Sequence, residues 1–405
     1  MNRRQLLTAA GLASSGAFLP TWTFARSSEF PMDAFLKDLK EFVAIDSKSR
    51  YAEGVTKMAQ ALKTRFESIG WHVETPAVGK LGQAVIAANK PGLKTYDIIL
   101  CGHLDTAQPV GNAAKYPLKI VGDRAYGAGV ADDKASLTAL WWIAKGLPKV
   151  VNDKLNICVL LVAAEEVDEQ AHVDFVMEYG KRAPLAMVYE PGRPDGSFVK
   201  VRKGCTWMYV DFKGVAAHAG NNPQDGRSAV DAMCRAIPAI KALAAEHDGV
   251  TINAGVVKGG TVPNTVAAEA QVVFDVRYLQ DAHRDDVIAK TKALCEKGFG
   301  EGVTATLHVP SLGPAMGLIP ASEKLMKVID EAAGKVGMDK PNWLVVGGSS
   351  DGNYLASAGV AVVDAMGVCG GNLHNVEKEY IDLKSVAPRI ALGQKTLEIL
   401  AVSKK

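Results

Sequence analysis

The sequence predicts an α/β fold: a mixed, largely parallel sheet, interrupted by an inserted βαββαβ unit of the ferredoxin-like, split βαβ kind. Three observations predict it. Strand-like and helix-like segments alternate before Gly204. The continuous apolar run at 156–163 has the character of a strand buried on both faces. The order then changes to βαββαβ, and the first pattern resumes at Ala321. At 405 residues the chain exceeds the roughly 250–300 at which a single core stops growing. Two domains are therefore expected, one made of 26–204 and 313–405, the other of 205–312.

Each element has a local reason. Apolar positions three and four apart predict helices over 33–43 and 54–69. Strands are expected at 84–88 and 96–101, then a helix over 134–147 with Ala and Leu on one face and Trp141-Trp142 near its end. A strand at 156–163, a helix at 172–182 and a strand at 185–189 complete the first alternation. Within the insertion, 206–213 alternates as a half-buried strand. A helix at 226–243, strands at 251–257 and 267–278, a helix at 282–297 and a strand at 304–309 follow. Beyond it come a helix from 321, a Gly347-Gly348 loop, a strand at 360–364 and a long helix from 383.

Composition narrows the function. Hydrophobic residues make up 48% and charged residues 22%, as in a soluble enzyme. A net charge of +2 with scattered Lys and Arg argues against nucleic acid as a partner. The opening Asn2-Arg3-Arg4-Gln5-Leu6-Leu7, an apolar stretch to Phe24 and the small-residue end Thr23-Phe24-Ala25 read as an export signal over 1–25. Arg3-Arg4 before Leu6-Leu7 suggests the twin-arginine type, with a general secretory signal as the alternative. A periplasmic or secreted protein is expected. Pro20 and small residues interrupt the stretch, so no membrane span should remain after cleavage. Six cysteines form no C-x-x-C pair; an oxidising compartment would permit disulfides, while Cys101 and Cys158 read as buried thiols.

The chemistry lies where strands end. His103 and Asp105 close an apolar run, Asp132-Asp133 precedes a helix, Glu165-Glu166 stops the run at 156–163, Glu190 ends the next strand, and His374 follows Gly370-Gly371. Ligands outside the carboxyl ends of parallel strands are the rule for such sheets. Each residue alone has a plainer reading: His103 as a hydrogen-bonded core residue, Asp132 as a helix-capping acid, Glu165-Glu166 as a solvated loop, His374 as an exposed loop residue. Together they form a nitrogen and oxygen donor set suited to zinc or a similar divalent ion. A ligating His needs a partner that fixes its tautomer, and Asp105 is placed to serve His103. Two adjacent acids at 165 and 166 must point differently, so one can ligate while the other stays free as a base.

The ordered motifs GHLDT, YGAGVADDK, AAEE, YEP, AAHAG, GGTVPNTVAAEA, FDVRY, GGSSDG and the loop around His374 resemble the M20 metallopeptidase family, glutamate carboxypeptidases in particular. The resemblance implies two ions per chain, zinc with cobalt as an alternative. His103 and Glu190 would hold one, Glu166 and His374 the other, and Asp132 would be shared. Glu165 would be the general base. His218 would reach the partner subunit's site and stabilise the oxyanion, and Asn264 and Arg277 would contact substrate. Arg277 also has the plainer reading of a structural salt bridge, since alternation puts it on the same face as Asp275. The insertion would serve as a dimerisation and lid domain of a homodimer, and the remainder as the catalytic domain. The residue after His374 departs from the family in being Asn375, so a bracing acid there is expected from Glu377 or not at all. The expected activity is a carboxypeptidase releasing a C-terminal amino acid from small peptides or folate-like conjugates. The alternatives are an N-acyl amino acid deacylase, such as a deacetylase or desuccinylase, and a catalytically silent binding protein.

Overall fold

The computed structural model describes residues 30–167 and 169–404; the segment read as an export signal lies outside them. Its central sheet has six strands, in the order His72–Glu74, Val85–Ala88, Ile157–Val162, Ile98–His103, Leu185–Val188 and Ala361–Val363. The last four run parallel, and the first two pair antiparallel, so the sheet is mixed and largely parallel. Every residue of Ile98–His103 and Ile157–Val162 is buried. Their successive side chains enter opposite layers: Ile98, Leu100, Val159 and Leu161 join one apolar cluster, while Ile99, Cys101, Cys158 and Leu160 join the other. A strand covered on both sides reads as a continuous apolar run.

Helices make those covers. Met32–Val43 buries Phe35, Leu39, Phe42 and Val43, one stripe at helical spacing. The final helix, Val386–Ser403, packs on Ala135–Lys145. A one-turn 3₁₀ segment, Leu383–Ser385, precedes it, so the regular helix begins later than the sequence pattern suggests. The helix expected from 226 begins at Ala229, because Ser228 caps it by accepting the Asp231 N–H.

The inserted unit forms a separate four-stranded antiparallel sheet, ordered Thr251–Gly259, Glu269–Tyr278, Gly204–Lys213 and Thr304–His308. Its element order is βαββαβ, with helices Ala229–Ala242 and Asp281–Lys297. Val210, Phe212, Val272, Phe274 and Val287 lie in its own apolar core.

Two smaller pairings had no counterpart in the sequence reading. Phe198–Arg202 pairs in parallel with Trp343–Val346. Gly370–Gly371, Tyr380–Asp382, Arg124–Tyr126 and Lys119–Val121 form a second four-stranded sheet. There is no disulfide among the described residues, and Cys101 and Cys158 are buried thiols. No described helix is long and apolar enough to cross a membrane.

Candidate metal centre

The parallel strands deliver their ends to one cavity of about 500 Å³. Asp132, Glu165, Glu166, Glu190 and His374 line it, with Arg193, Arg202, Gly347 and Gly348 on its walls. His103 is the last residue of Ile98–His103, and Glu190 follows Leu185–Val188. Asp132 sits in the irregular turn before Ala135–Lys145, with the Asp132–Asp133 peptide cis. His374 has φ 65°, a left-handed conformation uncommon for a non-glycine residue.

Two candidate ligand groups result. Ligand atoms of His103, Asp132 and Glu190 lie within 4.8 Å of one another, and so do those of Asp132, Glu166 and His374. Asp132 faces both: its Oδ1 is 2.9 Å from His103 Nε2, and its Oδ2 is 3.3 Å from His374 Nε2. Glu190 Oε1 is 3.9 Å from His103 Nε2, and Glu166 Oε2 is 3.2 Å from His374 Nε2. Ligands about 2.1 Å from a tetrahedral ion stand about 3.4 Å apart, so these spacings suit a small divalent cation. The donor chemistry fits as well, with imidazole nitrogen and carboxylate oxygen and no thiolate.

Asp105 organises the floor. It is fully buried, and its side chain lies 3.3 Å from His103 Nδ1, whose ring also meets the Asp105 carbonyl at 3.0 Å. That leaves Nε2 for a metal. Asp105 also accepts the N–H groups of Glu165 and Glu166, at 3.0 and 3.2 Å, and the Ser49 hydroxyl at 2.6 Å. One carboxylate thus fixes a ligand ring and the loop carrying two acids. Glu166 Oε1 accepts the Ala107 N–H at 3.1 Å, which turns Oε2 toward His374.

The electrostatics ask for cations. Burial, then the charge of Glu190, holds the Glu165 carboxyl well above the usual carboxylate range. Burial does the same to Glu190 and Asp133. Burial pushes Asp132 up too, but hydrogen bonds from His103 and His374 outweigh it and leave that carboxyl low. His374 is raised to about 10 by Asp132 and Glu166. Burial would lower His103, and its bonds to Asp105 and Asp132 raise it instead. Clustered buried acids of this kind are costly unless positive charge compensates them.

A further acid braces Asp132. Glu379 Oε1 accepts the N–H groups of Ala131 and Asp132, at 2.9 and 3.1 Å, and Oε2 accepts from Gln108 Nε2 at 3.1 Å. This corrects the expectation for Glu377, whose Oε1 instead accepts from Tyr116 Oη at 3.2 Å near the surface. Ser49 and Glu379 were not singled out from the sequence. An acid just before the strand Tyr380–Asp382 was the available signal for Glu379; Ser49 offered none.

The remaining expected site residues lie elsewhere. His218 and Asn264 are exposed neighbours, joined by the Ala219 N–H to the Asn264 carbonyl at 2.9 Å, and neither lines the cavity. His218 Nδ1 accepts the N–H groups of Gly220 and Asn221, both at 3.1 Å, which puts its ring hydrogen on Nε2. Arg277 pairs in a fork with Asp275, Nε to Oδ1 at 2.8 Å and Nη2 to Oδ2 at 2.9 Å. Its Nη1 reaches the Gly347 carbonyl at 3.3 Å, linking the inserted sheet to the cavity rim.

Comparison with known proteins agrees with this architecture. Residues 201–303 match the family model described as the peptidase dimerisation domain of M20. Carboxypeptidase G2 of Pseudomonas sp. strain RS-16 is 26% identical over 381 residues, covering 92% of this chain and 90% of that protein. Aminopeptidase PepT from Bacillus cereus superposes with a TM-score of 0.76 at 22% identity, covering 91% of this chain and 99% of that one. A dinuclear metal-binding peptidase of the M20 family from Bacillus subtilis superposes with a TM-score of 0.68 at 14% identity, covering 92% and 98%. The inserted unit matches the M20 peptidase dimerisation domain, and together with the ordered candidate ligand segments these likenesses are consistent with the M20 metallopeptidase superfamily and support a peptidase or amidohydrolase.

Proposed function

We propose that the protein is a two-metal amide hydrolase of the glutamate carboxypeptidase kind, releasing a C-terminal amino acid from small peptides or folate-like conjugates. One observation carries this reading: two ligand groups share Asp132, and Glu165 lines the same cavity without belonging to either group. His103 and Glu190 would hold one ion, Glu166 and His374 the other, zinc being the first candidate and cobalt the second. Ions held there supply Lewis acidity, polarising the amide carbonyl and making a water acidic near neutral pH. Glu165 takes the proton of the attacking water and passes it to the leaving amine. His218, with its hydrogen on Nε2, is set to donate to an oxyanion, and because it does not line its own chain's cavity a partner subunit's site is the natural recipient. A homodimer through the inserted sheet is therefore part of the proposal, as is export directed by residues 1–25.

Chelation should abolish activity, and zinc or cobalt should restore it. Glu165→Gln should retain metal and lose turnover by about 10²–10⁴-fold, the usual range for a positioned base. Glu166→Gln should lose metal. Full activity in a thoroughly metal-stripped sample would sink the reading. A panel of blocked dipeptides against N-acetyl and N-succinyl amino acids separates the two amide classes. Preference for the second group would move the assignment to a deacylase.

A further inference from the structure

Three arginines stand at or near the cavity, and their donors are used very differently. Arg202 is engaged through all three nitrogens: Nε and Nη2 fork onto Asp364, at 2.6 and 3.1 Å, and Nη1 reaches the Gly348 carbonyl at 3.3 Å. Arg277 is forked onto Asp275, with Nη1 on the Gly347 carbonyl. Arg193 lines the cavity, and its side chain has no hydrogen bond or ion pair among the described residues. Its Nε is buried without an acceptor. A buried guanidinium donor left unmade is costly, so such a group is expected to have a partner in the working state.

The backbone that carries Arg193 is fixed. Pro191 and Pro194 flank it, each locking φ. The Gly192 N–H binds the Val368 carbonyl at 3.0 Å, and the Gly196 N–H binds the Arg193 carbonyl at 2.8 Å. The nearest acid in sequence, Asp195, turns its Oδ1 to the Ser197 N–H at 3.0 Å. Glu190, on the same loop, makes no ion pair with Arg193 and faces His103 instead. Burial and the like charge of Arg202 press the Arg193 pKa below its usual value, the mark of a cation short of a counter-charge.

We infer that Arg193 receives a carboxylate of the substrate and so selects an anionic amino acid moiety beside the metal centre. The inference rests on the amide-hydrolase reading and adds the residue that reads the acid. A guanidinium grips a carboxylate through two parallel charge-assisted hydrogen bonds, and a Lys does not reproduce that fork. The carboxylate could be the terminal one of the released residue or the one on its side chain; the chemistry at Arg193 is the same.

The test uses metal-loaded enzyme and three substrates: N-benzoyl-L-glutamate, its terminal amide, and N-benzoyl-L-glutamine. Arg193→Ala should lower kcat/KM on the diacid by roughly 10- to 150-fold, the worth of hydrogen bonds to a charged group. It should cost little on whichever amide lacks the carboxylate that Arg193 reads, and this identifies the source. Arg193→Lys should recover only part of the loss. A proportional loss equal on all three substrates would mean a structural role and overturn the inference. Calorimetric binding of glutarate, which has no scissile bond, gives a second reading independent of turnover. Glutarate should bind the Arg193→Ala variant at least about 10-fold more weakly than wild type; equal binding, or none to either, overturns the inference. If wild type cleaves none of the substrates yet glutarate binding falls in the variant, the hydrolase reading fails and the carboxylate site stands.

Discussion

Lys134 is a cation held inside the fold by neutral partners. It is 1% exposed, and its Nζ donates to the carbonyls of Ile45 at 2.8 Å, Ala128 at 3.0 Å and Val43 at 3.5 Å. It ties the chain around the first helix to the turn that presents Asp132. Lys134→Met keeps the apolar stem but leaves those carbonyls without a donor. We expect a loss of about 1–3 kcal/mol for each group left unpaired, read as a lower denaturant midpoint; an unchanged midpoint would show that water replaces the ammonium. The sequence made His103, Glu165, Glu166 and Glu190 legible because each ends an apolar run, and Asp132 and His374 legible through the motifs around them. It could not show Lys134 as a three-carbonyl anchor, Glu379 as the brace of Asp132, or Arg193 as the unsatisfied member of three arginines. Those properties depend on which donors and acceptors have already found partners, and that is settled by neighbours distant in the chain.

At the scale of elements, the centre depends on close backbone approach. A Cβ added at Gly367 would stand 2.6 Å from the Tyr189 carbonyl and 2.7 Å from the Glu190 carbonyl. Backbone atoms cannot swing aside as a side-chain tip can. Gly367→Ala should therefore shift the end of Leu185–Val188 and the ligand beyond it, costing about 1–3 kcal/mol as other overpacked sites do and lowering metal content. Gly334→Ala is the control. It lies in the helix Pro320–Lys335 with nothing within 4 Å of its added Cβ, and should stabilise by up to about 1 kcal/mol through helix propensity. Equal effects of the two changes on metal content would remove packing at Gly367 from the account. The same scale explains what was missed in the fold. The long strands and the helices of both sheets show their periods plainly. Gly370–Gly371 and Trp343–Val346 are short and lack the continuous buried apolar run that marks the equally short strands of the central sheet. Their partners lie far along the chain, so no local signal names them.

For the whole molecule, the acid cluster sets a pH dependence that metal should reverse. In metal-free protein the carboxyls of Glu165, Glu190 and Asp133 are raised by burial, Glu379 is raised to about 7 by burial, and His374 is raised to about 10 by its carboxylate neighbours. A group whose pKa is raised by folding binds more protons folded than unfolded. Its contribution is present below the unfolded value and is lost as pH rises through the folded one. Asp105 and Asp132, which are lowered, act in the opposite sense but at acid pH, below the ordinary carboxylate value. Stability of the chelated protein should therefore fall as pH rises from about 5 to 9. The metal-loaded protein should show a flatter profile. Thermal unfolding of both forms across that range checks it, and parallel profiles would mean that the acids are not the controlling groups.

The pairing of Glu166 with His374 has a consequence for chain topology. Glu166 precedes the inserted sheet and His374 follows it, with about half the chain between them. A cation gripping both would act as a cross-link closing a loop of about 200 residues. By the chain-entropy rule for such loops, a link of that span removes about 5 kcal/mol of freedom from the unfolded chain. The other cation, between His103 and Glu190, would fasten a loop less than half as long and wholly upstream of the insertion. The two ions would therefore be unequal as fasteners, and the one nearer His374 would knit the halves of the split domain into a single body. With both ends of the insertion pinned in this way, its size and sequence could vary over generations at little cost to the sheet that frames the chemistry.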